Sequence, residues 1–203
     1  MDMKKGEKRK QELLKIAYQL FIEKGYENTS VDEIIATAGI AKGTYYYYFP
    51  SKEATLEAVI ELMIHEEVQR AKEVLQSSLP VSQKFIAVIA AFRPTENEAG
   101  IAKTIDATEN LLMHNRVNQR ITKEAIPFLV EVTKEGIEKK VFDCNHIEER
   151  VKMLLILGQQ AFDEGKYTHK DVEVYIDIAE KTLGAKRGTM KFIGDIIDNR
   201  KKA

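Results

Sequence analysis

Four consecutive tyrosines, Tyr45 to Tyr48, are set between Lys42, Gly43 and Thr44 on one side and Phe49, Pro50, Ser51 and Lys52 on the other. These residue types are suited to recognition rather than reaction. Phenol hydroxyls and ammonium groups bond phosphate oxygens, a threonine meets a base edge or a thymine methyl, and a glycine lets a backbone come close. If the segment is helical, side chains step about 100° around the axis, so Tyr45 and Phe49 share one face while Tyr46 and Tyr47 point elsewhere. Tyr45 and Phe49 are therefore placed against the core. Lys42, Gly43, Thr44, Tyr46 and Tyr47 are placed toward a DNA duplex, and Tyr48 suits either side.

Groups suited to catalysis or metal binding are scattered. His65, His114, His146 and His169 form no close pair on one helix face, which a zinc enzyme of the helical type needs. His65 with Glu66 and His169 with Asp171 are pairs too small for a site. Cys144 has His146 two residues away, a poor geometry for nucleophile and base. There is no Gly-x-Ser-x-Gly elbow and no glycine-rich phosphate loop. Neither an enzyme, nor a cofactor, nor a metal is expected.

The elements that must position the tyrosines can be read from start and stop signals. Ser30 followed by Glu33 reads as a capping box. Ile34, Ile35 and Ala38 give the helix one apolar face, and Gly39 ends it. A second short helix starts at about Lys42 and ends before Pro50, because proline disfavours helical geometry in the residue before it. Ser51 and Lys52 then open a third helix whose amino-terminal dipole favours a phosphate. Two short helices joined by a glycine bend describe a helix-turn-helix over about residues 31–50. Ser30, Lys42, Gly43, Thr44, Tyr46, Tyr47, Tyr48 and Lys52 form the expected DNA-binding set.

From Leu13 to about Val59 the chain resembles the TetR family of bacterial transcriptional regulators. The resemblance is carried by Leu20-Phe21-Ile22-Glu23-Lys24-Gly25-Tyr26, Thr29-Ser30-Val31, Ala38-Gly39-Ile40, Lys42-Gly43-Thr44, Tyr46 and Phe49-Pro50-Ser51-Lys52-Glu53. It implies that Tyr46, Tyr47 and Lys52 contact DNA phosphates. It further implies an all-α protein with a three-helix DNA-binding head over residues 1–51 and a helical effector-binding and dimerisation domain over residues 52–203. Three positions depart from the family pattern. Ile35 stands where a small alanine is usual, Ala41 replaces a serine cap, and Thr55 sits where a leucine is common.

The composition of the 203 residues, 44% hydrophobic and 31% charged, suits a globular chain with a sizeable core. Few alternating runs and only four prolines point to helices, and no apolar run approaches the roughly 18 residues of a membrane span. The amino-terminus lacks the apolar stretch of a signal peptide, and a single cysteine suits a reducing cytoplasm. The net charge is −1, so the basic character is regional: Lys4, Lys5, Lys8, Arg9 and Lys10 make an arm that can add salt-dependent DNA affinity.

Along the chain, a first helix is expected from about Lys8 to Lys24 and a long one from Lys52 to about Leu75. Another, apolar almost all round and therefore buried, is expected from about Ser82 to Phe92. Helices from Ala99 to about His114 and from Asn115 to about Lys140, the latter kinked at Pro127, follow. The resemblance implies that the central helices hold a small, mostly apolar effector. Met63, Phe85, Ile89, Phe92, Ile105, Met113 and Phe128 are candidate walls, with Asp106 and Glu109 among the polar anchors; an acidic anchor points to a cationic effector. The same residues also suit ordinary core packing.

Near the carboxyl end Val151, Leu154, Leu155, Gly158, Ala161 and Phe162 make one stripe, and Tyr175, Ile176, Ala179 and Leu183 another. The resemblance implies that these pair with a second copy, although they equally suit the core of a single chain. A final short helix is expected from Thr189 to Asn199. The expected function is a homodimeric repressor released from a palindromic operator by a small molecule. The alternative is a helical sensor that binds a small molecule and has no DNA affinity.

Overall fold

Helix signals dominate the sequence, and in the computed structural model, which describes residues 5–106, 111–162 and 167–193, every regular element among the described residues is helical. The order is α1 (Lys5–Lys24), α2 (Val31–Ala38), α3 (Lys42–Tyr48), α4 (Lys52–Gln76) and α5 (Val81–Ala91), then a 3-10 turn (Glu96–Glu98), α6 (Ala99–Asp106), α7 (Leu111–Glu138), α8 (Ile147–Phe162) and α9 (His169–Leu183). None of these helices is long and apolar enough to cross a membrane.

Contacts divide the chain into two compact units, Met1–Glu66 with Pro94–Asn118, and Glu67–Arg93 with Gln119–Ala203. This division is not the functional boundary expected at residue 51. It falls inside α4, whose first part packs with the head and whose last part belongs to the second unit.

In the first unit α1 lies against α2 and α6. The Tyr18 hydroxyl donates to the buried Glu98 carboxylate at 2.8 Å, which also accepts from the Thr95 backbone N–H and hydroxyl at 2.7 Å each. A carboxylate can be buried because such donors replace its water.

The core of the second unit gathers Phe85, Val88, Leu129, Val132, Val151 and Leu183 among others. Gly136 of α7 is required there: a Cβ would stand 2.2 Å from the Phe142 ring, which occupies the place of the missing side chain. Gly184, left-handed at φ 64°, ends α9 where any Cβ would meet the Asp143 carbonyl at 1.9 Å. Glu180 is buried and accepts from the backbone N–H groups of Gly188 and Met190, tying the turn after α9 back onto that helix.

Several expectations change. α5 does not bury apolar groups alone: Lys84 is buried too, its ammonium donating to the Leu75 carbonyl at 3.0 Å and to Glu135 at 3.1 Å. The break expected between His114 and Asn115 does not occur. α7 runs unbroken through both, although Asn115 is a residue type that can cap a helix, and it continues through Pro127. Of the final helix expected from Thr189 to Asn199, Thr189, Met190 and Lys191 lie in turns, only Phe192 and Ile193 are helical, and the rest lies outside the described residues.

Candidate nucleic-acid interface

The inner side of α3 fixes its position. Tyr45 is 0% and Phe49 2% exposed, and their rings lie 6.0 Å apart. Burying two such aromatic side chains stabilises the docked helix by roughly 1.5–3 kcal/mol each. The Tyr45 hydroxyl needs a partner in this core, and Thr55 of α4 supplies it at 2.6 Å. Since the Thr55 hydroxyl donates its own proton to the Ser51 carbonyl at 3.2 Å, Tyr45 is the donor to Thr55. The departure at Thr55 thus has a local reason, which a leucine could not serve. Burial pushes the Tyr45 phenol above its ordinary pKa, the hydrogen bond with Thr55 working against it.

The elements on either side behave largely as their sequence dictates. Ser30 is extended and caps α2 by accepting from the Glu33 N–H at 3.1 Å, and Gly39 at φ 61° closes α2 in the left-handed region. The reciprocal half of the expected capping box is replaced: the Glu33 carboxylate pairs with Lys24 of α1. Ala41 gives α3 no side-chain cap. Ser51 caps α4 by accepting from the Ala54 N–H at 3.1 Å. The Glu53 carboxyl is held below its usual range by its own backbone N–H and by Ser51, so a carboxylate of this chain already meets the donors where a phosphate was expected.

The outer side of α3 is open. Tyr47 is 82% and Tyr46 44% exposed, and Lys42 and Gly43 are exposed beside them. A Cβ at Gly43 would meet nothing within 4 Å, so the backbone there can be approached closely. The Lys42 ammonium stands 3.3 Å from Asp32, an exposed pair of the kind worth little in water. Thr44 is half-buried, and Ser30 is exposed with its hydroxyl engaged as the cap.

Two members of the expected set sit differently. Tyr48 is half-buried, edge-on to Tyr47, with its hydroxyl 3.8 Å from where a Cβ on Gly6 would be. Lys52 lies over the Tyr26 ring at 4.2 Å and donates to the Glu27 carbonyl at 3.4 Å, because the face of a ring attracts an ammonium. Burial first, and then Glu53, push the Tyr26 hydroxyl up to about 12, so that ring stays neutral. Of the basic arm, Lys8 and Arg9 are exposed, Arg9 pairing with Glu12 at 3.0 Å, while Lys10 stands 5.9 Å above Phe49. Lys4 and the side chain of Lys5 lie outside the described residues.

Residues 13–59, which contain α2, α3 and the start of α4, match the family model described as bacterial regulatory proteins, tetR family. That stretch is a DNA-binding head of the TetR family. Among its relatives, the HTH-type transcriptional regulator YuxN of Bacillus subtilis is 48% identical over 153 residues, covering 73% of this chain and 46% of YuxN. The HTH-type transcriptional repressor KstR2 of Rhodococcus jostii is 30% identical over 129 residues, covering 63% of this chain and 59% of KstR2. These matches therefore span only about half the length of either relative. A transcriptional regulator from Cytophaga hutchinsonii has the same fold at a TM-score of 0.64, covering 94% of this chain and 96% of its own at 17% identity.

The second unit contains a cavity of about 170 Å³. α5 lends Ile86, Ile89 and Ala90, α7 lends Ile121, Thr122 and Ala125, and α8 lends Leu155, Gly158, Gln159 and Phe162. Each set follows helical spacing along one face. Of the expected walls only Ile89 and Phe92 line it. Phe85 is committed to the core, Phe128 packs on Phe92 at 5.9 Å, and Met63, Ile105, Asp106 and Met113 belong to the first unit. Asp106 instead accepts from His114 at 2.9 Å, and Glu109 lies outside the described residues.

The residues expected to pair with a second copy are also reassigned. Val151, Leu154, Leu155, Ile176, Ala179 and Leu183 are buried within the single chain, where α8 and α9 need them to close the core. Gly158, Phe162 and Tyr175 face the cavity, Gly158 having no side chain to meet the Tyr175 hydroxyl, which a Cβ would approach to 2.9 Å. Only Ala161 of the set is exposed. The apolar groups that α8 and α9 turn to solvent are Met153 at 69%, Ile156, Leu157 and Val174. A stripe read at 3.6-residue spacing leaves open which of two neighbouring faces meets the core, and packing selected the other one. The polar cavity residues Thr122 and Gln159, bonded to each other at 3.1 Å, were legible only as interruptions of apolar faces.

Proposed function

We propose that this chain is a cytoplasmic, homodimeric transcriptional repressor that reads a palindromic operator through α3 and releases it when a small molecule fills the cavity of the second unit. The observation that carries this reading is the two-sidedness of α3. Tyr45 and Phe49 lock it from within, while Lys42, Tyr46 and Tyr47 stand outward with the hydroxyls and charge that phosphates attract. One such helix is a weak reader, and two placed about 34 Å apart read successive major grooves. The exposed Met153, Ile156, Leu157 and Val174 supply an apolar surface for the second copy, since a two-fold contact needs a patch complementary to itself. α4, which begins at the Ser51 cap and continues into the second unit, connects effector to head through covalent structure. The effector acts by binding one head spacing better than another.

Operator binding by Tyr46→Phe, Lys52→Ala and Thr44→Ala tests the reading. Tyr46→Phe and Lys52→Ala weaken binding on all sequences, and Thr44→Ala changes sequence preference, with the salt slope falling by about one for the lost lysine contact. Unchanged binding by all three overturns the assignment of α3.

A further inference from the structure

Each polar side chain in the described part of the cavity wall already has a partner, and this narrows what can fill the space. The Tyr175 hydroxyl of α9 donates to the Leu154 carbonyl of α8 at 3.1 Å. Gly158, one turn beyond Leu154, leaves room for that bond: a Cβ there would stand 2.9 Å from the hydroxyl oxygen and 3.3 Å from Cζ. Burial pushes this phenol up to about 12, so it stays neutral. The Gln159 amide donates to the Thr122 hydroxyl at 3.1 Å and accepts from it at 3.2 Å. Arg93, Thr122 and Tyr167 have further interactions of their own. No carboxylate is among the described lining residues, and Asp106, which pointed to a cationic effector, belongs to the first unit.

The rest of the wall is hydrocarbon. Ile86, Ile89 and Ala90 of α5 and Ile121 of α7 supply aliphatic groups, and the Phe162 ring stands edge-on to Tyr175 at 5.1 Å. The volume of about 170 Å³ is close to the roughly 150 Å³ of an engineered apolar cavity that stays dry and takes up benzene. A hydroxyl, ammonium or carboxylate carried in on a ring of that size gives up its water and finds the hydrogen-bonding groups of the wall already spent. That loss weakens binding by about tenfold or more.

We propose that the cavity takes an uncharged single-ring molecule bearing at most alkyl or halogen substituents, and that Gly158 and Tyr175 enforce this choice by keeping the Tyr175 hydroxyl on a backbone carbonyl. As an account of the effector this rests on the cavity being the regulatory site, and the test separates the two ideas. Calorimetric titrations of the full chain at constant ionic strength use toluene, phenol, benzoate and benzylamine, which vary polarity and charge on one ring.

Toluene is expected to bind at least about tenfold more tightly than phenol, and both charged probes more weakly than phenol. Ala90→Leu fills the cavity from α5 and is expected to abolish toluene uptake with helix content unchanged. In Gly158→Ala the new methyl displaces the Tyr175 hydroxyl from its carbonyl, and the preference for toluene over phenol is expected to shrink. Tyr175→Phe, which keeps the ring, is expected to leave phenol binding no weaker than before. Phenol or a charged probe bound as tightly as toluene overturns the ligand class and leaves the effector site standing. Phenol weakened by Tyr175→Phe, or an unchanged preference in folded Gly158→Ala, overturns the role of that pair. Uptake of none of the probes, or toluene binding that survives Ala90→Leu, overturns the proposal as a whole. Toluene bound with the expected preference but without any change in operator affinity supports the ligand class and instead removes the effector role.

Discussion

Replacing Thr55 by valine keeps the shape of the side chain and removes the acceptor of the Tyr45 hydroxyl, which is 0% exposed and has Thr55 2.6 Å away. A buried hydroxyl deprived of its partner costs about 1–3 kcal/mol, whereas a hydrogen bond lost together with both of its polar groups is nearly neutral. Tyr45→Phe leaves Thr55 with its bond to the Ser51 carbonyl, so it costs only the net value of one bond, about 0.5–1.5 kcal/mol. The order of stability expected is therefore parent first, then Tyr45→Phe, then Thr55→Val. The double variant is expected to lie above Thr55→Val although it carries one more change, giving a coupling of about 2–3 kcal/mol. Urea unfolding followed by circular dichroism measures all four proteins. Operator binding of the folded variants reports whether α3 stays docked. A Thr55→Val protein as stable as the parent, or a cycle that adds without coupling, would refute the claim that this pair holds the recognition helix.

Two more predictions concern the second unit. Met153→Glu with Leu157→Glu places charge on the exposed apolar face of α8, and sedimentation should then show a monomer with unchanged helix content; a dimer that persists would move the interface elsewhere. Glu135 accepts from Lys139 and then from Lys84, and these bonds hold its carboxyl below the ordinary range. Its folded pKa is therefore lower than its unfolded one, so the stability it contributes is present above the unfolded pKa and lost as pH falls through the folded value. Glu135→Gln should cost less than the ~3–5 kcal/mol of a fully buried broken pair, since Glu135 is still 26% exposed. The melting-temperature gap to the parent should close between pH 7 and pH 3, and an equal gap at both would exclude the ion pair as its cause.

The sequence by itself determined the head. Ser30, Gly39, Pro50 and Ser51 act within a few residues of themselves, through caps, a left-handed bend and a steric block, so each signal could be read without knowing what lies across the fold. The 3.6-residue step likewise fixed which tyrosines turn inward, because α3 is short and has a single neighbouring core to face. Family resemblance over residues 13–59 covered the same region and added the expected contacts.

What only the tertiary structure decided depends on partners far apart in the chain. Thr55 reads as a departure until the Tyr45 hydroxyl is found beside it, and Lys84 reads as a blemish on a buried helix until Glu135, on α7, meets it. The apolar stripes of α8 and α9 fixed that these helices bury a face, but not whether the core, the cavity or a second copy covers it. Periodicity is a property of one helix, whereas a cavity is the space that three or four helices fail to fill, and its walls exist only once those helices are packed.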